Sequence, residues 1–208
     1  MTWYRATLTS RIPGRANTLF LLKGQQVDRL PLIENKNLSP EQRRVYDALV
    51  DGPRGAAKGP WLAFLHVPEI ADRVQHLSNY LRFESSFEQR LLEFVILITA
   101  RHYNCEYEWY AHEPLAQKGG LPQSTIDAVK VRRHPENMQS DETTVFDYTT
   151  ELLRNGKVSD IVYRHAVSVF GTKGVVELTT VIGFYIMIGM TLLAHEIAAP
   201  AGKPPLPK

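Results

Sequence analysis

Seventeen consecutive residues, Leu178 to Ala194, carry no charge; threonine, glycine and Tyr185 alone interrupt an aliphatic, methionine and phenylalanine run. A helix of that composition is apolar on every side, so it must be covered by other helices or by a partner subunit. The run falls short of the ~20 residues a bilayer span needs, and Glu177 and His195 bracket it. The chain is therefore expected to build a core around this helix rather than to enter a membrane.

Helical signals recur upstream. Ser39-Pro40-Glu41-Gln42 supplies an N-cap, a proline at N1 and a capping box, and that helix should stop at Gly52-Pro53. A short helix is expected over Trp61 to Leu65. A longer one should run from Pro68 to Leu81, with Ile70, Val74, Leu77 and Leu81 on its inner stripe. Ser85 and Ser86 are read as caps for the next, and Asn104 as the N-cap of a helix starting at Cys105 that ends at Gly119-Gly120. Further helices are expected to about Val131, from Ser140 to about Arg154 with a stop at Asn155-Gly156, from Ser159 to Gly171, and from about Lys173 to Ala198. Strand-period alternation is nowhere sustained, so the fold class is all-α.

At 208 residues with 44% hydrophobic content, the chain can bury one sizeable core. A net charge of +2, with Lys and Arg scattered, gives no electrostatic footprint for nucleic acid. The single cysteine excludes an internal disulfide and fits a reducing, cytoplasmic setting. Residues 1 to 28 read as an N-terminal arm or extension. Its first 27 residues hold Arg5, Arg11, Arg15 and Lys23 but no acid, so a mitochondrial transit peptide is the alternative. The domain proper is placed at 29–198, and residues 199 to 208, rich in Pro and Gly, are expected to be a tail that does not pack.

The chemistry concentrates between Glu93 and His112, in the run EFVILITARHYNCEYEWYAH. Cys105, Glu108 and His112 fall on one helical face, and Glu93 lies in an apolar helix where an unpaired charge is costly. Glu108 is within one turn of His112 and can hold its ring, which makes the pair a candidate general acid/base. Cys105, in the first turn of its helix, is where the dipole favours a thiolate. Arg101 is a candidate for binding a substrate carboxylate, and Trp109 for a pocket wall. No metal-ligand spacing or phosphate loop is present, so no metal or cofactor is expected. Glu177 and His195 echo the spacing of Glu93 and His112 but are not assigned a second site.

The spacing of Glu93, Cys105, Glu108 and His112 resembles the E-x(11)-C-x-x-C-x-x-x-H signature of the alkylhydroperoxidase D and carboxymuconolactone decarboxylase superfamily. Tyr107, Glu108, Trp109 and His112, followed by Ala116 and Gly120, are more similar to the decarboxylase-like branch. The match is tight over about residues 60 to 135 and looser to about 198. Glu108 stands where the peroxidase branch has its second cysteine. The resemblance implies a compact multi-helix domain assembled as homo-trimers or hexamers, with Glu93, Cys105, Glu108 and His112 as catalytic residues. It implies a decarboxylase-like enzyme acting on a small carboxylated or lactone substrate. A single-cysteine peroxide reductase using an external thiol, and a non-catalytic ligand-binding assembly, are the alternatives.

Overall fold

The computed structural model describes residues 29–31, 33, 35–199 and 201–208; the expected arm at 1–28 lies outside them. Among the described residues, eight α-helices follow a 3-10 turn at Asn35–Asn37: α1 Pro40–Asp51, α2 Pro60–Phe64, α3 Pro68–Asn79, α4 Gln89–His102, α5 Glu106–Lys118, α6 Gln123–Lys130, α7 Ser140–Asn155 and α8 Asp160–Ala194. Among the described residues there is no strand. The protein is all-α.

α4 is the hub. All of Leu91 to Arg101 is buried, because α5, α6, α7 and α8 pack around it. The apolar second half of α8 lies against α4, burying Leu178, Val181, Ile182, Tyr185, Ile188 and Leu192. By length and composition α8 could also cross a membrane, yet just over half of its most apolar window (56%) is buried inside the protein. Gly171 breaks α8 with φ 68 and ψ 173, so the helical arms on its two sides are distinct, as the sequence suggests. An L side chain rarely adopts that φ.

Several local signals act as read. Ser39 caps α1, Gln42 returns the capping-box bond, and Gly156 closes α7 in the left-handed region. Others differ. α3 buries Ala71, Val74, Gln75 and Ser78, while Ile70 and Leu77 stand 47% and 41% exposed. The helix is turned so that two polar residues face inward and half of the expected apolar stripe faces out. Ser86 does not cap α4; Glu88 occupies that position. Ser86 instead donates from its backbone N (3.1 Å) and its hydroxyl to Glu177, which also accepts from the Tyr80 hydroxyl at 2.5 Å.

Those bonds pin a π-helical turn, Tyr80–Glu84, that follows α3. It is closed by Ser85 N donating to Tyr80 O at 2.9 Å, an i to i+5 bond. Glu177 is thus a clamp, and about 27 Å of helix separates it from His195 at the far end of α8. Their echo of Glu93 and His112 carries no second site.

The C-terminal tail packs, contrary to expectation. Leu206 is 8% exposed and its backbone N donates to Glu106 Oε1 at 2.9 Å. Tyr110 donates to Pro204 O at 2.6 Å, and Arg101 to Pro207 O at 2.5 Å. Prolines leave carbonyls with no competing N–H, and here those carbonyls are the acceptors that dock the segment.

Candidate active site

Glu93 on α4 and His112 on α5 meet in the core. His112 Nδ1 lies 2.5 Å from Glu93 Oε2, and Glu93 is fully buried. The other Glu93 oxygen accepts from Arg82 Nη2 at 3.2 Å. On the far side of the imidazole, Glu108 Oε2 is 3.3 Å from Nε2, at ion-pair distance but without a hydrogen bond's alignment. Four groups therefore form a chain: Arg82, Glu93, His112, Glu108. The i, i+4 spacing on α5 sets the last pair, and the packing of α4 on α5 sets the rest.

Burial alone would lower the His112 pKa, but the Glu93 charge and the contact with Glu108 overcome it and raise it from 6.5 to about 9. The ring is an imidazolium at neutral pH, with one N–H held by Glu93 and the other facing Glu108. A raised folded-state pKa stabilises the protein fully below the unfolded value and loses that contribution as pH rises through the folded one. Thermal melts of the wild type are therefore expected to fall between pH 6.5 and about 9. In His112→Gln that decline should vanish; its persistence would show that another group is responsible.

Arg82 was not foreseen. The π turn delivers it: inserting a residue into the helical ladder swings this side chain into the core, a use to which such turns are often put. Burial opposes its charge, while Tyr185 and Glu93 sustain it and its pKa rises. Its Nη1 donates to the Tyr185 hydroxyl at 3.0 Å. Tyr185 stacks edge-on to His112 at 5.4 Å, and burial drives its own pKa up to about 12. It is a hydroxyl donor throughout the physiological range. The visible sequence signals were slight: a cation between Leu81 and Phe83, and a phenol inside an apolar run.

His112, Glu108, Arg82 and Tyr185 open into a cleft of about 560 Å³, walled by Trp61, Phe184 and Ile188. Its rim carries Arg54, Lys58 and Lys118. Arg54 lies over the Trp61 ring at 4.4 Å and donates to Ser78, which explains why α3 turns a serine inward. Burial and the neighbouring Arg82 charge lower the Arg54 pKa. Arg54 Nε is buried with no partner. The cleft thus exposes one carboxylate amid several cations, an environment for a small anion.

Gly59 shapes the entrance. It has φ 58, and a Cβ there would come within 2.5 Å of the Tyr107 ring. Gly59→Ala is expected to cost about 1–3 kcal/mol through strain at positive φ and displacement of Tyr107. Chemical denaturation would read this, and an unchanged midpoint would contradict it.

The remaining sequence candidates sit elsewhere. Cys105 is 1% exposed, outside the cleft, with Sγ 4.0 Å from Gly189 O. It caps α5 rather than lying in its first turn. Burial pushes its thiol up to about 12, the reverse of the thiolate expected. Arg101 faces away: Nε donates to Lys130 O at 2.6 Å, and its other nitrogens go to Asn104 and Pro207 O. Trp109 is fully buried core, beside Lys130, and does not line the cleft. Both His112 nitrogens face carboxylates, and among the described residues no group of three or more His, Cys, Asp or Glu could hold a metal ion.

The arrangement of helices is shared with solved structures. An uncharacterized peroxidase-related protein from Ralstonia eutropha JMP134, described as an alkylhydroperoxidase AhpD core, superposes with a TM-score of 0.71 at 13% identity, over 85% of this chain and 94% of that one. The chain has the alkylhydroperoxidase D-like fold. A peroxidase-related protein from Silicibacter sp. TM1040 matches at TM-score 0.70 and 18% identity, over 87% of this chain and 96% of that one. The debrominase Bmp8 matches at 0.65 and 10% identity, over 82% and 91%. No family model matches the sequence, and no curated protein does.

Proposed function

We propose that this alkylhydroperoxidase D-like protein is an acid–base enzyme acting on a small anionic substrate, with decarboxylation of a carboxylated lactone as the leading reaction. The observation that carries this reading is the His112 ring held between Glu93 and Glu108 at the floor of a cationic cleft. A substrate carboxylate is drawn in by Arg54, Lys58 and Lys118. Loss of carbon dioxide leaves the bonding pair on carbon as a dienolate, whose charge Arg82 and the Tyr185 hydroxyl stabilise. His112 gives its Nε2 proton to that carbon, directly or through Glu108. His112 keeps its Nδ1 proton, hydrogen-bonded to Glu93, and Glu108 returns a solvent proton to Nε2. The sum is one carboxylate and one proton converted to one C–H bond and carbon dioxide.

Peroxide reduction through Cys105 is the second reading, favoured by the peroxidase-related proteins that share the fold. A thiol raised to about 12 and kept out of the cleft is a poor nucleophile, which supports placing it second. The deciding screen offers wild type and Cys105→Ser both carboxylated lactones, followed by carbon dioxide release, and peroxide with a dithiol. Lactone turnover that survives Cys105→Ser supports acid–base chemistry. Peroxide turnover that vanishes with the thiol overturns it, and silence in both assays favours a ligand-binding role. We propose also that the protein is a homo-oligomer: Ile70, Leu77, Val176, Met187 and Leu193 present exposed apolar surface on α3 and α8.

A further inference from the structure

A second cleft, of about 190 Å³, lies between α4, α6 and α7 and shares no residue with the first. Arg101, Arg132, Arg133 and Arg154 line it, and no carboxylate does. Among the described residues none of these four arginines makes an ion pair, whereas Arg82 and Arg90 elsewhere each hold a carboxylate. Like charges gathered without a counter-charge repel one another, and that cost is recovered when an anion binds. The mutual effect is visible: burial, then Arg132, lowers the Arg101 pKa, and burial, then Arg132 and Arg154, lowers that of His102.

The cleft is built, not only charged. Arg101 is 3% exposed and anchored through Asn104, which also accepts from Arg132 Nη2 at 2.9 Å. Arg132 adopts φ 60, a left-handed conformation uncommon for a non-glycine residue, and so leaves the end of α6 toward the cleft. Thr150 lines the cleft, and its Oγ1 is buried with no hydrogen-bond partner. Its floor is apolar, from Ile98, Phe146 and Leu153. Guanidinium forks match the oxygens of a tetrahedral dianion better than a single carboxylate can use them.

The geometry points to a second ligand site here, for the phosphate group of a compact phosphate monoester, with Arg132, Arg133 and Arg154 on the oxyanion, Arg101 holding Asn104 behind them, Thr150 as a further donor and the organic group against Phe146 and Leu153. Calorimetric titration of the full chain with phenyl phosphate, inorganic phosphate and benzoate tests it, in wild type and in the Arg133→Gln/Arg154→Gln variant. Both substituted residues are exposed, and circular dichroism will verify that the variant is folded. Phenyl phosphate is expected to bind at least tenfold more tightly than benzoate and to lose at least tenfold in the variant. Inorganic phosphate binding as tightly as the ester would assign the site to free phosphate, with the same oxyanion chemistry. Phenyl phosphate affinity unchanged in the variant, or matched by benzoate, would overturn the site.

Discussion

Glu93→Gln should be among the most damaging single substitutions in this protein, lowering stability by about 3–5 kcal/mol in urea or guanidinium denaturation. The carboxylate is fully buried and accepts from Arg82 on one oxygen and contacts His112 on the other. An amide can fill the same space, so the loss is electrostatic. Two buried cations are left facing each other without the charge that compensates them. The same substitution should bring the His112 pKa down, because the Glu93 charge is the largest influence raising it. A loss well under 1 kcal/mol would mean that water already screens the pair, and the chain of four charges would not be the buried network described.

The second large effect is on rate. His112→Ala should reduce turnover by about a hundred- to ten-thousand-fold, the range for removing a positioned general acid. Because the ring also bridges Glu93 and Glu108, the alanine variant is paired with His112→Gln, which can keep a donor toward Glu93 but cannot deliver a proton. Both variants should lose turnover to that extent, with the glutamine variant the more stable. Turnover retained in a folded His112→Gln would remove the imidazole from the mechanism. Glu108→Gln should slow the reaction less, since it recharges His112 in the mechanism proposed above.

The helices with their own punctuation were legible in the sequence. Ser39 and Gln42, Gly156 and Gly171 each act locally, so their meaning survives without knowledge of the fold. The face of α3 was not legible. Its apolar stripe through Ile70 and Leu77 suggested burial, but Ser78 had to face inward to meet Arg54, and the helix is turned accordingly. Tertiary demand outweighed the periodic pattern.

In the site, Glu93, Glu108 and His112 were readable because fixed spacings along α4 and α5 bring them together. Arg82 was not, since its entry depends on a π turn held by Glu177 from the other end of the chain. Tyr185 was hidden inside a run whose apolarity argued only for packing. Cys105 misled because its place at the start of a helix promised a low pKa, and burial prevailed over the dipole. Arg101 and the tail misled together: the proline carbonyl that docks the last residues takes one of the donors expected at the substrate.

The most direct test needs no substrate. Nuclear magnetic resonance titration of the His112 ring nitrogens reports both its protonation and its partners. An imidazolium persisting through neutral pH and titrating near 9, with Nδ1–H shifted by a strong hydrogen bond to Glu93, is the result this structure predicts. A ring that is neutral at pH 7, titrating at or below 6.5, would contradict the proton store on which the proposed chemistry depends.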